Sequence, residues 1–182
     1  MPTADSDLHP LLAFNRQMLD QSLALVAAHA GPGAPVYDGP VGAHLRHVIE
    51  HWEALVFPAQ PGWVDYDARQ RDAALAASPV LARQRLLALR AQLVQWRSGT
   101  LAAPVQVRGL CGLAGQWGFD AASSLGRELA FVASHAVHHF ALLKAHCERH
   151  GIAIGADFGK APATVAHERD GAGSRQPTVQ AA

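Results

Sequence analysis

The sequence predicts an all-α protein built as a four-helix bundle. Apolar side chains recur at the spacing of an α-helix in four stretches of roughly 17–27 residues, and Gly, Pro or Ser residues lie between these stretches. Helices with one apolar face must bury those faces against one another, and a bundle does so. The chain has 182 residues, 49% of them hydrophobic, which is enough for one domain with a sizeable core.

The first two helices are separated by a clear break. Residues 8–30 carry the first apolar stripe, which ends at Gly31-Pro32-Gly33. The second helix begins after Asp38-Gly39, with Pro40 in its first turn, where proline is favoured, and it runs to about Val56.

A long connection lies between the second and third helices. It starts near Pro58 and spans roughly 20 residues, more than a simple helical turn needs. This length would let helices two and three run parallel, by crossing the length of the bundle. The third helix begins at Ser78-Pro79, where the serine can act as the cap, and it runs to about Ser98-Gly99.

The segment before the last helix has a different pattern. Residues 102–113 form either a short strand or an extended loop, because Val105 and Val107 alternate with polar residues. The last and longest helix is capped by Ser123-Ser124 and ends at Gly151, a residue type common just past a helix.

These elements give one domain and a tail. We assign residues 1–165 to the bundle domain. Residues 166–182 are rich in Gly, Ala, Gln and Ser and have no apolar periodicity, so we predict that they are disordered.

Composition excludes several classes of protein. Fifteen basic and fifteen acidic residues cancel, and no basic stripe appears, so we expect no nucleic-acid partner. The polar, acidic start is unlike a signal peptide, and no window approaches about 20 uninterrupted apolar residues, so we expect no membrane span. Two cysteines without a CxxC spacing fit a reducing compartment. We therefore expect a soluble, cytoplasmic protein.

The chemistry of the chain is suggested by its eleven histidines. His135 and His139 lie four residues apart on the last helix, so their rings project from one face and can chelate one ion. Leu142 and Phe131 lie beside them, which points the pair towards an apolar interior. The alternative is that they are histidines at the edge of the core, hydrogen-bonded to their neighbours.

A second histidine face lies on the second helix. His44, His47 and His51 recur at i, i+3 and i+7 beside the apolar stripe. Helical geometry slightly favours His44 or His51 as the residue that points inward, and a solvated polar edge is the alternative reading. Two histidine faces on separate helices together favour a metal site. The HExxH, GxSxG and P-loop patterns are absent.

Four segments together resemble the DinB/YfiT-like metalloprotein superfamily, over residues 8–164. The segments are His44–His51, Val64–Asp72, Leu125–Leu129 and Ser134–His139. The resemblance implies a four-helix bundle with a long crossover between helices two and three, and a divalent metal held by three histidines. By position in the family pattern these are His47, His135 and His139, and the ion is Zn, Ni or Fe.

The resemblance also implies a range of activities. Characterised relatives include thiol-dependent S-transferases and presumed hydrolases, so we expect a metal-dependent enzyme that uses a low-molecular-weight thiol or another small molecule. Seven residues would support the ligands or contact a substrate: His44, His51, Glu128, His138, Asp67, Arg71 and Arg127. For Asp67, Arg71 and Arg127 the alternative is a salt bridge that ties the long connection to the last helix. The rival function is a non-catalytic, stress-related bundle that binds metal or forms a homodimer.

Overall fold

The computed structural model describes residues 9–173, and this part of the chain is mostly helical. Its elements, in chain order, are α1 (Pro10–Ala27), α2 (Pro40–Val56), β1 (Trp63–Asp65), α3 (Ala73–Ala77), α4 (Pro79–Gln95), a 3-10 helix (Ser98–Ala102), β2 (Pro104–Cys111), β3 (Trp117–Ser124), α5 (Leu125–Arg149) and α6 (Pro162–Gly173). The four helices predicted from the sequence correspond to α1, α2, α4 and α5.

Local signals fix where these helices begin. Proline stands in the first turn of α1, α2 and α4. The hydroxyl of Ser78 accepts the backbone N–H of Leu81 at 3.2 Å, and the hydroxyl of Ser124 accepts that of Arg127 at 3.2 Å. Each serine satisfies one of the unpaired N–H groups at a helix start, as the sequence led us to expect.

The long helices share one core. Helix α2 packs against α4 and α5, and α1 packs against the same two helices. A buried polar contact joins three of them, because the indole N–H of Trp52 on α2 donates to Asn15 on α1 at 3.0 Å, and the Asn15 amide donates to the carbonyl of Leu129 on α5 at 3.1 Å. This contact fixes the relative placement of the two histidine-bearing helices, α2 and α5.

The structure also contains a small sheet, so the prediction of a purely all-α fold is only partly correct. Its strand order is β1-β2-β3, with β1 and β2 parallel and β2 and β3 antiparallel. Val64 of β1 lies opposite Val107 of β2, and Val107 also lies opposite Ala121 of β3. Of the two readings for residues 102–113, the strand is therefore the one observed. The sequence did not indicate β3, because its side chains are mostly exposed and backbone pairing with β2 holds it.

The connection between α2 and α4 contains β1 and α3. Helix α3 is capped by Asp72, whose carboxylate accepts the N–H of Ala74 at 2.9 Å. It lies directly on α2, since a Cβ atom placed on Gly42 would be 1.8 Å from the carbonyl oxygen of Ala76. Only glycine at position 42 permits this close approach.

Helix α6 includes part of the segment that we predicted to be a disordered tail. We predicted disorder from residue 166, whereas α6 continues to Gly173. The helix has no strong apolar stripe, which is why its sequence resembled a tail. Ion pairs hold it instead: Arg169 pairs with Asp157 at 2.9 Å, and Glu168 pairs with Lys160 at 2.5 Å. Residues 174–182, the rest of the predicted tail, lie outside the described residues.

No helix in residues 9–173 combines the length and the apolar character that a membrane span requires.

Candidate metal centre

Three histidines from two helices meet at one point. His47 comes from α2, and His135 and His139 come from α5, which packs against α2. One ring nitrogen from each lies within 4.8 Å of the other two, and the Nε2 atoms of His47 and His135 are 2.9 Å apart. Among the described residues, this is the one group of histidine, cysteine and carboxylate side chains that could hold a metal ion.

The convergence expected for His47, His135 and His139 is therefore present. The helical wheel had leaned towards His44 or His51, which lie nearer the apolar stripe of α2. The cluster forms at the edge of the core rather than along that stripe, and all three of its members are half-buried. His51 is indeed buried, whereas the cluster contains the half-buried His47, so nearness to the stripe predicts burial and not membership of the cluster.

His44 contacts the cluster through His139. The Nδ1 atoms of the two rings are 2.6 Å apart, so one donates a hydrogen bond and the other accepts it. If Nδ1–H of His139 donates to His44, Nε2 of His139 keeps its lone pair. Metal-binding histidines commonly have their second ring nitrogen fixed in this way.

His51 is buried beside the cluster and belongs to a layer of aromatic rings whose other members are half-buried. Its Nδ1–H donates to the backbone carbonyl of His47 at 2.7 Å. Its ring stacks on Tyr66 with centroids 5.5 Å apart and planes inclined by 18°. The ring of Phe131 contacts Tyr66, with centroids 5.1 Å apart, and stacks on His135 at 5.7 Å. These rings restrict the orientations that the histidines can take.

Glu128 anchors this layer from α5. Its side chain is 1% exposed and accepts hydrogen bonds from the hydroxyl of Tyr66 at 2.8 Å, the hydroxyl of Ser123 at 2.6 Å and Nη1 of Arg127 at 2.9 Å. Burial raises the pKa of Tyr66, so its hydroxyl remains a donor. The long connection is thus tied to α5 by Tyr66 and Glu128, and not by the salt bridge considered from the sequence.

The histidines of the site are held in the neutral form. Burial, followed by the charges of His51 and Arg69, lowers the pKa of His47 to about 3. Burial also lowers the pKa of His51, of His135 and of His139 to about 4 in each case. A neutral imidazole is the form that binds a metal ion, so at neutral pH protons hardly compete for these rings.

Arg69 reaches the site, although no pattern in the sequence had singled it out. Its Nη1 lies 2.6 Å from Nδ1 of His47 and 3.8 Å from a carboxylate oxygen of Glu50, which is 3% exposed. Arg69 lies within the Val64–Asp72 segment of the resemblance. Nothing in that segment ranked it above Arg71, since its position depends on the turn after β1.

The other expected contacts have different partners. Asp67 accepts the backbone N–H of Leu110 at 2.7 Å and so joins the turn after β1 to β2. Arg71 is exposed, and its Nη1 lies 3.5 Å from the carbonyl of Arg69. His138 is exposed and meets the ring of His139 edge-on at 5.4 Å. Of these three, only His138 contacts a member of the cluster.

Arg127 lies at the outer side of the aromatic layer. Its guanidinium carbon is 5.5 Å from the ring centroid of Phe131, in addition to the contact with Glu128. It is therefore placed near His135 through Phe131.

Comparisons with known proteins give one partial similarity. No protein-family model matches the chain, and no solved structure gives a significant match. A protein of Rhizopus delemar named FK506-binding protein 5 is 28% identical over 104 residues, which cover 57% of this chain and 27% of that protein. The chain therefore spans about a quarter of the curated relative that it matches, and this likeness assigns no family. Fold and site define a mostly helical protein with three histidines placed to hold a metal ion.

Proposed function

We propose that this protein binds a divalent metal ion through His47, His135 and His139. The observation that carries the proposal is the approach of their three ring nitrogens to within 4.8 Å of one another. Their neutral state supports it, because each neutral ring has one nitrogen with a lone pair. The hydrogen bond between His44 and His139 also supports it, because it can leave the Nε2 lone pair of His139 free. Imidazole ligands suit Zn, Ni and Fe.

The finer assignment of the fold is part of the same proposal. We take the chain to be a DinB/YfiT-like four-helix bundle with α1, α2, α4 and α5 as its helices. The mutual packing of these helices around one core supports this assignment, as does the connection of residues 57–78 between α2 and α4. The three-stranded sheet is then built from the connections of the bundle.

A metal-dependent enzyme is the activity that the site favours. Three protein ligands leave coordination positions for a substrate. Within residues 9–173 no fourth histidine, cysteine or carboxylate belongs to the cluster. The three candidates for closing it have other contacts: His44 is hydrogen-bonded to the ring of His139, His51 donates to the backbone carbonyl of His47, and Glu128 accepts from Tyr66. A bound metal would lower the pKa of a thiol or of water there and so supply a nucleophile.

The substrate class proposed is a low-molecular-weight thiol, with the protein acting as an S-transferase, and hydrolysis is the second reaction. Phe131 stacks on His135 and the guanidinium of Arg127 lies over Phe131, so an apolar group and an anionic group could both be received beside the site. A non-catalytic metal-binding or dimerising protein is the rival, and a fourth ligand would have favoured it.

Metal analysis of untagged protein tests the proposal. We expect about one equivalent of a transition metal per chain after loading and desalting. The His135→Ala variant should lose this metal, while His167→Ala, at an exposed position on α6, should keep it. Metal contents that do not differ between wild type and His135→Ala would refute the site.

A panel of thiols and electrophiles then separates the two kinds of function. An enzyme should show metal-dependent consumption of one thiol, or metal-dependent hydrolysis, that is lost in His135→Ala. Full metal occupancy without turnover of any thiol or ester in the panel would favour the non-catalytic rival.

A further inference from the structure

The contact between Arg69 and His47 determines which ring nitrogen of His47 carries the proton. A guanidinium group has only donors, so Nη1 of Arg69 must donate to Nδ1 of His47 across their 2.6 Å separation. Nδ1 therefore provides a lone pair, and in the neutral ring Nε2 carries the hydrogen. That Nε2–H can donate to Nε2 of His135 at 2.9 Å.

This arrangement does not suit ligation through Nε2 of His47. A neutral histidine that binds a metal through Nε2 carries its hydrogen on Nδ1, where it normally meets an acceptor. Here Nδ1 faces a cationic donor. The contact with Arg69 and metal ligation by Nε2 of His47 are consequently mutually exclusive, and Arg69 must leave before the ring can bind.

Glu50 offers Arg69 a second position. One oxygen of this buried carboxylate accepts the N–H of Asp72 at 2.8 Å, whereas the other is buried without a hydrogen-bond partner. That unpartnered oxygen lies 3.8 Å from Nη1 of Arg69, close enough for an ion pair and too far for a hydrogen bond. A buried carboxylate oxygen without a donor is costly, so a closer approach of Arg69 would be favourable.

The surrounding space permits the movement. Glu50 and Arg69 both line a cleft of about 450 Å³ between the C-terminal half of α2 and the segment around β1. Two other cations line this cleft, and both have partners: Arg85 is paired with Glu53 and Arg108 with Asp120, so neither competes for Glu50. Arg69 can therefore turn from His47 to Glu50 without displacing another side chain from its partner.

We propose that Arg69 is a positioning residue that controls metal loading: it holds His47 in the tautomer that cannot ligate through Nε2, and it moves to Glu50 when a metal ion binds. The inference rests on the proposed metal site. It assigns a role to the two features that the site itself does not explain, a donor facing a ligand nitrogen and an orphaned carboxylate oxygen.

Zinc affinity of three variants tests this role. Arg69→Met removes the opposing donor and should tighten zinc binding by about 10–100-fold, the usual range for residues that orient a ligand. Arg71→Met is the matched control, because it removes the same charge two residues away without touching His47, and its effect should be much smaller. Glu50→Gln keeps an acceptor for Asp72 but removes the ion-pair partner, so it should weaken binding.

A double variant shows whether Glu50 acts through Arg69. In the Arg69→Met background, Glu50→Gln should no longer alter zinc affinity, because the guanidinium with which Glu50 would pair is absent. Circular dichroism of each variant confirms folding. If Arg69→Met and Arg71→Met changed zinc affinity equally, the loss of one positive charge would explain the effect and the inference would be overturned.

Nuclear magnetic resonance of the histidine rings gives a readout that is independent of affinity. Long-range proton–nitrogen spectra should show His47 protonated on Nε2 in protein stripped of metal and on Nδ1 after zinc is added. The His47→Gln variant assigns the signal. An Nδ1–H form before zinc is added would overturn the role of Arg69 while leaving the metal site intact. Failure of wild type and all variants to bind zinc would instead defeat the proposed function, and this inference with it.

Discussion

The Nδ1 atoms of His44 and His139 lie 2.6 Å apart, although 95 residues separate the two in the chain. This hydrogen bond joins a ring on α2 to a proposed ligand on α5, so it should fix the orientation of His139. We expect His44→Ala to bind metal more weakly by about 10–100-fold without losing stoichiometric binding at high metal concentration. Titration with a competing chelator measures this. A loss of all binding would place His44 among the ligands themselves.

Replacing His139 with alanine should abolish metal binding, whereas replacing His138 should not. Two protein donors hold an ion far more weakly than three, so affinity should fall by orders of magnitude. His138 is exposed, and its ring only meets the edge of His139, which makes His138→Ala a control on the adjacent residue. Metal stoichiometry and affinity of each variant are the measurement, with circular dichroism to verify folding. Binding lost in His138→Ala alone would mean that His135 and His138 form the pair.

Removal of metal should lower the melting temperature without unfolding the protein. The core formed by α1, α2, α4 and α5 is apolar and continuous, so the fold does not depend on the ion as a zinc finger does. A metal ion at about 100 times its dissociation constant raises the free energy of unfolding by about 2.7 kcal/mol. For a chain of this size, that corresponds to an increase of about 5–10 °C in melting temperature. Thermal melts with and without chelator measure the shift. Helical circular dichroism that disappears on chelation at room temperature would contradict the expectation.

The long helices could be predicted because their information is local. Pro40 and Ser78-Pro79 mark helix starts, and periodic apolar residues continue from them. Strand β3 could not be predicted in the same way. It is an edge strand from Trp117 to Ser124 whose side chains face solvent, so its stability comes from hydrogen bonds to β2 and leaves no pattern in its own sequence.

Two of the three proposed ligands could also be predicted from local sequence. The spacing of His135 and His139 on one helix is local, and it indicated a chelating pair. Choosing His47 over its neighbours on α2 required the resemblance, because the choice depends on how α2 faces α5. Arg69 was not predicted because it lies in the turn after β1, 22 residues from His47 in the chain, and only the fold brings its guanidinium to that ring. Contacts of this kind follow from tertiary packing alone.

Acid should destabilise the metal-stripped protein over the range in which the site histidines titrate. Burial lowers the pKa of His47 to about 3, and of His51, His135 and His139 to about 4, against 6.5 in the unfolded chain. Between these values the unfolded state binds more protons, so the free energy of unfolding should fall as the pH falls from about 6.5 towards 4 and should level off above about 7. Urea melts across this range measure the slope.

The matched control for the acid effect removes the titrating rings themselves. A variant with His47, His135 and His139 replaced by glutamine should show a shallower decline, because three of the histidines whose pKa is lowered by burial are gone. Parallel declines in the triple variant and in wild type would assign the acid sensitivity to other groups.

The segment from residue 166 onwards should be dispensable for the core fold, even though α6 forms part of it. Helix α6 is held by two exposed ion pairs, Arg169 with Asp157 and Glu168 with Lys160, and such pairs contribute about 0–1 kcal/mol each. A chain that ends at residue 173 should therefore melt like the full chain, and one that ends at 165 should melt at most a few degrees lower, at about 2–4 °C per kcal/mol. If the two truncated chains differ in melting temperature, the double variant Arg169→Gln, Lys160→Gln of the full chain should show most of the same decrease. That result would attribute the decrease to the two ion pairs and not to buried apolar surface. A drop of more than about 10 °C on ending the chain at residue 165 would instead show that α6 covers part of the core.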